Sequence, residues 1–389
     1  MRYLLISDYY FPSVKSGAII IGDLAEHIAE LGHQVTVITF SETQSERVEK
    51  RSFKKINILS IRSKWRNKNR IFRAISECFY SFQIKKLIKS NKELKFDYCI
   101  CYSPSIFYGS ALKLVRRVYN APVYLIVRDI FPKWALDAGI IKKNLIYYFF
   151  KYVEKQLYKN ADYIGIESKN DMKYFVKYKS SNRVEVLNNW GSKIDIESIP
   201  NITISKNKKT QIIYGGNIGD AQDLLGLIKG INFKAIEEIA EITIIGAGDQ
   251  MHLIRKYSKK ERIANLNILE QIPRSQYLER LKASDIGLVR LNARLKSNNF
   301  PLKMMGYLQL GMPILASVNS GNEIIELIEK HKIGAVSIAG DEEDFNNKLI
   351  NLAGDLQRLE QYKKNALSIF SSRFTVEVAV EQINRRFKV

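Results

Sequence analysis

The chain is poor in the residues that most often betray chemistry. Its three cysteines, Cys78, Cys99 and Cys101, are an odd number without metal-ligand spacing, which argues against a disulfide framework and a zinc site. Cys99 and Cys101 fall on one face of the strand-like DYCICY and read as buried thiols in a reducing cytoplasm. The four histidines, His27, His33, His252 and His331, are scattered, and His33 falls in a helix-to-strand turn. Asp-x-Asp is absent, so a carboxylate-chelated Mg²⁺ is not expected, and neither is any other metal or cofactor. There is no GxSxG elbow, Walker lysine motif or CxxC pair. No apolar run approaches the roughly 18 to 20 residues that cross a bilayer. The opening MRYLLISDYYFP is broken by Asp8 and Pro12 too early for a signal peptide and reads as a first buried strand.

Acidic residues are also scarce: 40 Asp and Glu face 61 Lys and Arg, a net charge of +21. From Lys50 to Lys92 there are 14 basic residues and one acid, Glu77, with Phe53, Trp65, Phe72, Phe79, Tyr80 and Phe82 interleaved. Such a stretch suits an anionic membrane surface, where rings sit at the headgroups and lysines meet lipid phosphate. Nucleic acid would also suit it and is the weaker reading. A codon bias toward Lys, Asn and Ile is the rival account of the excess. The expected location is the cytoplasm, peripherally on the inner face of the cytoplasmic membrane.

With 389 residues the chain has room for two domains. Short β-branched runs alternate with helix-like segments, the pattern of parallel sheets wound with helices. The first half offers strands near Tyr3–Ser7, Val35–Phe40, Ile56–Ile61, Tyr98–Tyr102, Pro122–Val127 and Tyr163–Ile166. Periodicity lapses between Asn188 and Thr210 and resumes in a second unit with strands near Ile212–Tyr214, Ile242–Ile245, Leu266–Leu269, Ile286–Val289, Ile314–Ala316 and Ala335–Ile338. The expected division is therefore residues 1–190 as a first domain, 191–210 as a linker, 211–370 as a second domain, and 371–389 as a helix returning to the first. Two doubly wound α/β domains of this kind would face one another across a cleft at their strand C-terminal edges.

Four clusters in the second half fall at strand ends or helix starts. IIYGGNIG carries Gly215, Gly216, Asn217 and Gly219 and reads as a loop whose amides approach a phosphate. IIGAG carries Gly246 and Gly248, for which packing is a rival reading. The third is Gln271, Ile272 and Pro273. The fourth is Pro301, Leu302 and Lys303, where a lysine in the first helical turn adds full charge to the helix dipole, as a diphosphate requires.

These clusters, with YYFPSVKSGA, GHQVTV, VRDIFPKWA, VLNNW, YGGNIGDAQDL, SDIGLVRL and FPLKMMGYLQLGMPILASVNSGNEI, resemble the family-four glycosyltransferases with the two-domain GT-B fold, over nearly the whole chain. The likeness is greatest to the branch that builds O-antigen or capsule, including transferases of N-acetyl-L-fucosamine. The resemblance implies metal-independent transfer from a UDP-sugar, with retention of configuration, to a lipid-linked saccharide such as one on undecaprenyl diphosphate. It implies that the Gly17 turn approaches the donor phosphate, that the GGNIG loop and Lys303 flank the diphosphate, and that Ile272 contacts the base. Arg290 would be a second cation, with a surface arginine the rival. Asp129, after a strand, could orient donor hydroxyls or serve as base to the acceptor, and a pairing with Arg128 would lower its pKa; a capping role is the rival.

The chain departs from the family where two glutamates usually stand eight positions apart, since Asn298 and Gly306 occupy those positions. Glu323 would then replace the ribose contact. Asn217 and Gln222 stand where an arginine and a lysine are usual, which shifts phosphate neutralisation onto Lys303. A UDP-sugar 2-epimerase on the same fold is disfavoured by the placement of the histidines, and a non-catalytic membrane- or nucleic-acid-binding module is the remaining alternative.

Overall fold

A computed structural model describes residues 1–13, 15–41, 44, 46–63, 70–137, 139–191, 194–202, 209–295 and 300–388. The chain forms two compact units, Met1–Ser192 with Val376–Val389, and Lys193–Thr375.

In chain order unit 1 contains β1 (Arg2–Ile6), α1 (Ser16–Glu30), β2 (Gln34–Ser41), β3 (Val48–Phe53), β4 (Ile56–Arg62), α2 (Arg70–Cys78), α3 (Tyr80–Ser90), β5 (Tyr98–Ser103), α4 (Gly109–Tyr119), β6 (Val123–Val127), α5 (Lys133–Asp137), α6 (Leu145–Lys159), β7 (Tyr163–Ile166), α7 (Met172–Phe175) and β8 (Val184–Val186). The sheet runs β3-β4-β2-β1-β5-β6-β7-β8 and is parallel except for β3, which pairs antiparallel with β4. Its central strands are apolar without alternation because helices cover both faces, as in YLIV of β6, every residue of which is buried. The sequence pattern had not signalled β3 or β8. The first, VEKRSF, is a charged edge strand, the composition that protects an open edge; the second has three residues.

Unit 2 contains β9 (Thr210–Asn217), α8 (Leu224–Gly230), β10 (Ala240–Ala247), α9 (Met251–Lys260), β11 (Leu266–Leu269), α10 (Arg274–Lys282), β12 (Ile286–Arg290), α11 (Lys303–Gln309), β13 (Ile314–Val318), α12 (Glu323–His331), β14 (Gly334–Ile338), α13 (Glu342–Ala353) and α14 (Leu356–Arg373). Its six strands are ordered β11-β10-β9-β12-β13-β14 and all are parallel. Ile212 and Tyr214 of β9 enter the apolar layer on one face of the sheet and Ile213 that on the other, the period-two consequence of the pleat. The order reverses between β9 and β12, the place where ligands of open parallel sheets bind.

The stretch expected as a linker is in part built into unit 2. Ile199 is buried, and Lys282 Nζ donates to the carbonyls of Ile196 (3.1 Å) and Ile199 (2.6 Å). Residues 203–208 lie outside the described residues. The last helix, α15 (Val376–Phe387), belongs to unit 1. Its Phe387 ring stacks on Tyr98 at 4.5 Å, Asn384 accepts from the Tyr3 hydroxyl at 2.9 Å, and Arg386 pairs with Glu185 at 2.8 Å.

Candidate active site

The GGNIG segment differs from a simple phosphate loop. β9 continues through Asn217, so Gly215, Gly216 and Asn217 are strand residues in register with Ile245, Gly246 and Ala247 of β10. The Gly215 amide donates to the Tyr307 hydroxyl at 3.3 Å, inside the unit. A Cβ on Gly215 would collide with the Tyr277 ring, one on Gly246 with the Gly216 carbonyl oxygen, and one on Gly248 with that of Ile218. These three glycines are therefore demanded by close packing. For Gly246 and Gly248 this is the packing reading that stood beside the ligand reading.

What remains open at this edge is Gly216 and the turn after it. Gly216 has φ +127°, a left-handed value, and the nearest atoms to a Cβ built there are Cε and Nζ of Lys303 at 3.6 Å. Gly219 closes the turn: its amide donates to Gln222 Oε1 at 3.3 Å, and that oxygen also accepts from Asn217 Nδ2 at 2.9 Å. The turn is braced by Asn292, whose Nδ2 donates to the Asp220 carbonyl at 2.8 Å, and by the Ile218 amide on the Ala247 carbonyl at 3.0 Å. Gln222 thus satisfies two donors in a position where an anion's oxygen could do the same.

Lys303 opens α11 directly after Pro301 and Leu302; the Pro301 carbonyl accepts from the Met304 amide at 3.0 Å. Its Nζ is buried, makes no hydrogen bond among the described residues, and stands 3.4 Å above the centroid of the Tyr214 ring. Tyr214 and Gly216 share one face of β9 by alternation, so the ammonium lies against both. A ring face offsets part of the loss of hydration of a cation, about 2 kcal/mol when desolvated. Burial nonetheless lowers the Lys303 pKa to about 7. A diphosphate beside it would supply the missing counter-charge. Tyr214 itself is fixed by its hydroxyl, which donates to the Asn217 carbonyl at 2.6 Å.

The other expected donor residues are placed as follows. Arg290 is buried: Nη1 donates to Ser317 Oγ at 2.7 Å and Nη2 pairs with Asp223 at 3.1 Å. It is not the surface arginine of the rival reading, and Asp223 is its counter-charge. Ile272 lies in the turn before α10 and packs on the layer of Met304, Met305 and Tyr307. Glu323 is the first residue of α12, where the Asn322 side chain caps the Ile324 amide at 3.0 Å. Asn298 lies outside the described residues. A hollow of about 660 Å³ bordered by Gly248, Asp249, His252, Arg255, Lys256 and Lys259 runs along α9 and is not lined by Lys303.

In unit 1, Gly17 is the second residue of α1, and a Cβ there would press on Tyr102 at 3.2 Å. Asp129 follows β6 and is exposed. The pairing with Arg128 that would have lowered the Asp129 pKa does not form, and desolvation raises it instead: Arg128 turns inward, Nη1 donating to the Leu187 carbonyl at 2.7 Å and Nε lying 3.8 Å from Glu167. Glu167, the residue after β7, accepts from Asn189 Nδ2 at 2.6 Å. Burial pushes its carboxyl up to about 7 against the opposing pull of Arg128 and the Asn189 hydrogen bond. Asn189 is 4% exposed and its Oδ1 makes no hydrogen bond among the described residues. Sequence reasoning missed this group, although Glu167 and Arg128 each stand one residue past a strand end of the same sheet.

Known proteins share the fold of both units. Residues 17–190 match the model of Glycosyltransferase Family 4, and residues 195–368 that of Glycosyl transferases group 1. The chain belongs to the family-four glycosyltransferases. A relative, the probable glycosyltransferase WbjE of Pseudomonas aeruginosa, is 24% identical in an alignment of 278 positions that covers 69% of each chain. Among solved structures, sucrose-phosphate synthase of Thermosynechococcus elongatus superposes with a TM-score of 0.73 at 13% identity, covering 100% of this chain and 98% of that one. Anabaena HepE in complex with UDP and glucose gives 0.68 at 13%, covering 100% and 99%. WaaG, a glycosyltransferase involved in lipopolysaccharide biosynthesis, gives 0.67 at 14%, covering 98% of each chain. At such identities the likeness is one of fold, and that fold is GT-B. The transferase therefore has Lys303, Tyr214 and Gly216 at the switch point of its second GT-B domain.

Proposed function

We propose that this glycosyltransferase moves a sugar from a UDP-sugar to a lipid-linked saccharide on undecaprenyl diphosphate, with N-acetyl-L-fucosamine or another N-acetylated hexosamine as the sugar and surface polysaccharide as the product. The observation that carries the donor half is the buried Lys303 ammonium, without a hydrogen-bond partner among the described residues, held over Tyr214 beside Gly216. The kinship with WbjE and the fold likeness to WaaG support the acceptor half.

In the proposed reaction the acceptor oxygen bonds to the anomeric carbon as the bond from that carbon to the β-phosphate oxygen breaks. The electron pair leaves with UDP. Lys303, at the positive end of the α11 dipole, stabilises the charge that develops there, at an orientation fixed in advance. The acceptor proton leaves toward a carboxylate, and Asp129, exposed at the end of β6, is the residue we assign. Configuration is retained, and no metal is needed because the Lys303 charge takes its place. The remaining donor contacts fall to Asn217, Gly219, Gly248, Ile272 and Glu323; Arg290 acts through Asp223 by holding the turn before α8.

The test is a donor screen with purified protein, a lipid-linked GlcNAc acceptor and a panel of UDP-sugars, followed by UDP release and product mass. One N-acetylated donor should be turned over with EDTA present. UDP release from no donor would refute the reading.

A further inference from the structure

Helix α6 is apolar on both sides: Val153, Leu157 and Tyr158 pack on the core, and a second apolar stripe faces out. Its inward side carries a carboxylate, Glu154, which is fully buried, accepts from Tyr174 at 2.5 Å and is bound by Lys151. Its outward side carries Leu145, Tyr148, Phe149 and Tyr152, at spacings i, i+3, i+4 and i+7, with exposures of 88%, 61%, 51% and 62%. A helix ordinarily turns such a stripe to the core. The exposed lysines Lys142, Lys143 and Lys155 flank it. The patch extends beyond α6. Phe150 meets Phe107 at 6.3 Å, and the Phe107 carbonyl accepts from Ser81 of α3 at 2.6 Å, which brings the starts of α3 and α6 together. There Phe79 and Phe82 are also exposed, next to Lys85, Lys86 and Lys89.

We infer that this aromatic and basic face of α6, continued by the start of α3, is a docking surface that inserts into the interface of an anionic phospholipid bilayer. The occupant follows from composition. Exposed rings and Leu145 suit the boundary between headgroups and acyl chains, and the flanking lysines suit lipid phosphate. A second copy of the chain suits it less, since a twofold contact over this face would bring two lysine-rimmed patches of the same sign together. α6 lies outside the Lys50–Lys92 stretch singled out by charge, part of which, residues 64–69, is outside the described residues. The inference deepens the reading of a lipid-linked acceptor, and it is tested without donor or acceptor.

The experiment is flotation of the full chain with phosphatidylglycerol vesicles and with phosphatidylcholine vesicles, at low and high salt, with the oligomeric state measured by light scattering. The wild type should float with the anionic vesicles. Leu145→Ser with Phe149→Ser should weaken this about tenfold or more, and Lys142→Glu with Lys143→Glu should abolish the preference for anionic lipid. Unchanged UDP binding by both variants would show that the fold is intact. Equal flotation of wild type and the Leu145→Ser, Phe149→Ser variant would overturn the inference. So would a wild-type dimer that ignores vesicles and is split by the same substitutions.

Discussion

Replacing Lys303 by Met keeps the length and the apolar stem of the side chain and deletes the ammonium. A hydrogen bond to a charged group is worth about 1.5–3 kcal/mol, so UDP affinity should fall from about tenfold to more than a hundredfold. The effect on the unliganded protein has the opposite sign. Burial lowers the Lys303 pKa from 10.5 to about 7. Between those values the unfolded chain binds the proton that the folded protein gives up, so stability rises with pH across that window. The penalty is complete below about pH 7 and gone above about 10.5. Lys303→Met should therefore melt at a higher temperature than the wild type at neutral pH, with the gap closing as pH rises. UDP supplies counter-charge and raises the pKa again, so binding at about pH 8 should take up close to one proton in the wild type and none in the variant. Calorimetry in two buffers of different ionisation enthalpy measures the proton, and thermal shifts across pH measure the stability. Equal UDP affinity and equal proton uptake in the two proteins would refute the reasoning.

Two further outcomes follow from the same geometry. Gly246→Ala should lower the melting temperature and weaken UDP binding, because the new methyl collides with the Gly216 carbonyl, whereas Gly22→Ala, in a helix with open space around it, should stabilise by about 0.5–1 kcal/mol; thermal melts of the pair test this, and equal shifts would contradict it. Burial holds the Glu167 carboxyl at about 7, so between about pH 4.5 and 7 the folded protein keeps a proton that the unfolded chain releases, and stability falls as pH rises; Glu167→Gln should remove that fall, and thermal melts with the same pH slope in both proteins would contradict it.

The two parallel sheets were legible because doubly covered strands such as VTVITF and YLIV need no alternation, and because the segments between them carry helical periods. β3 was not legible, since VEKRSF resembles a polar loop until an edge needs covering. In the site, Lys303 could be read from its place in the first turn of a helix, with Pro301 two positions before it. Two features could not be read. The glycines of GGNIG signal a tight backbone equally well for a phosphate or for a neighbouring ring, and at Gly215 the neighbour is Tyr277, 62 positions away in sequence. The side chains of Arg128 and Arg290 could each have faced solvent; the structure turns them to Leu187 and Asp223, partners fixed only by the order of strands.

The most direct test of the account is a structure of the full chain with UDP. The account predicts a β-phosphate oxygen within hydrogen-bonding distance of Lys303 Nζ, beside Gly216 and above the turn that Gln222 now closes. A diphosphate held instead in the hollow along α9, by Arg255 and Lys259, would contradict it.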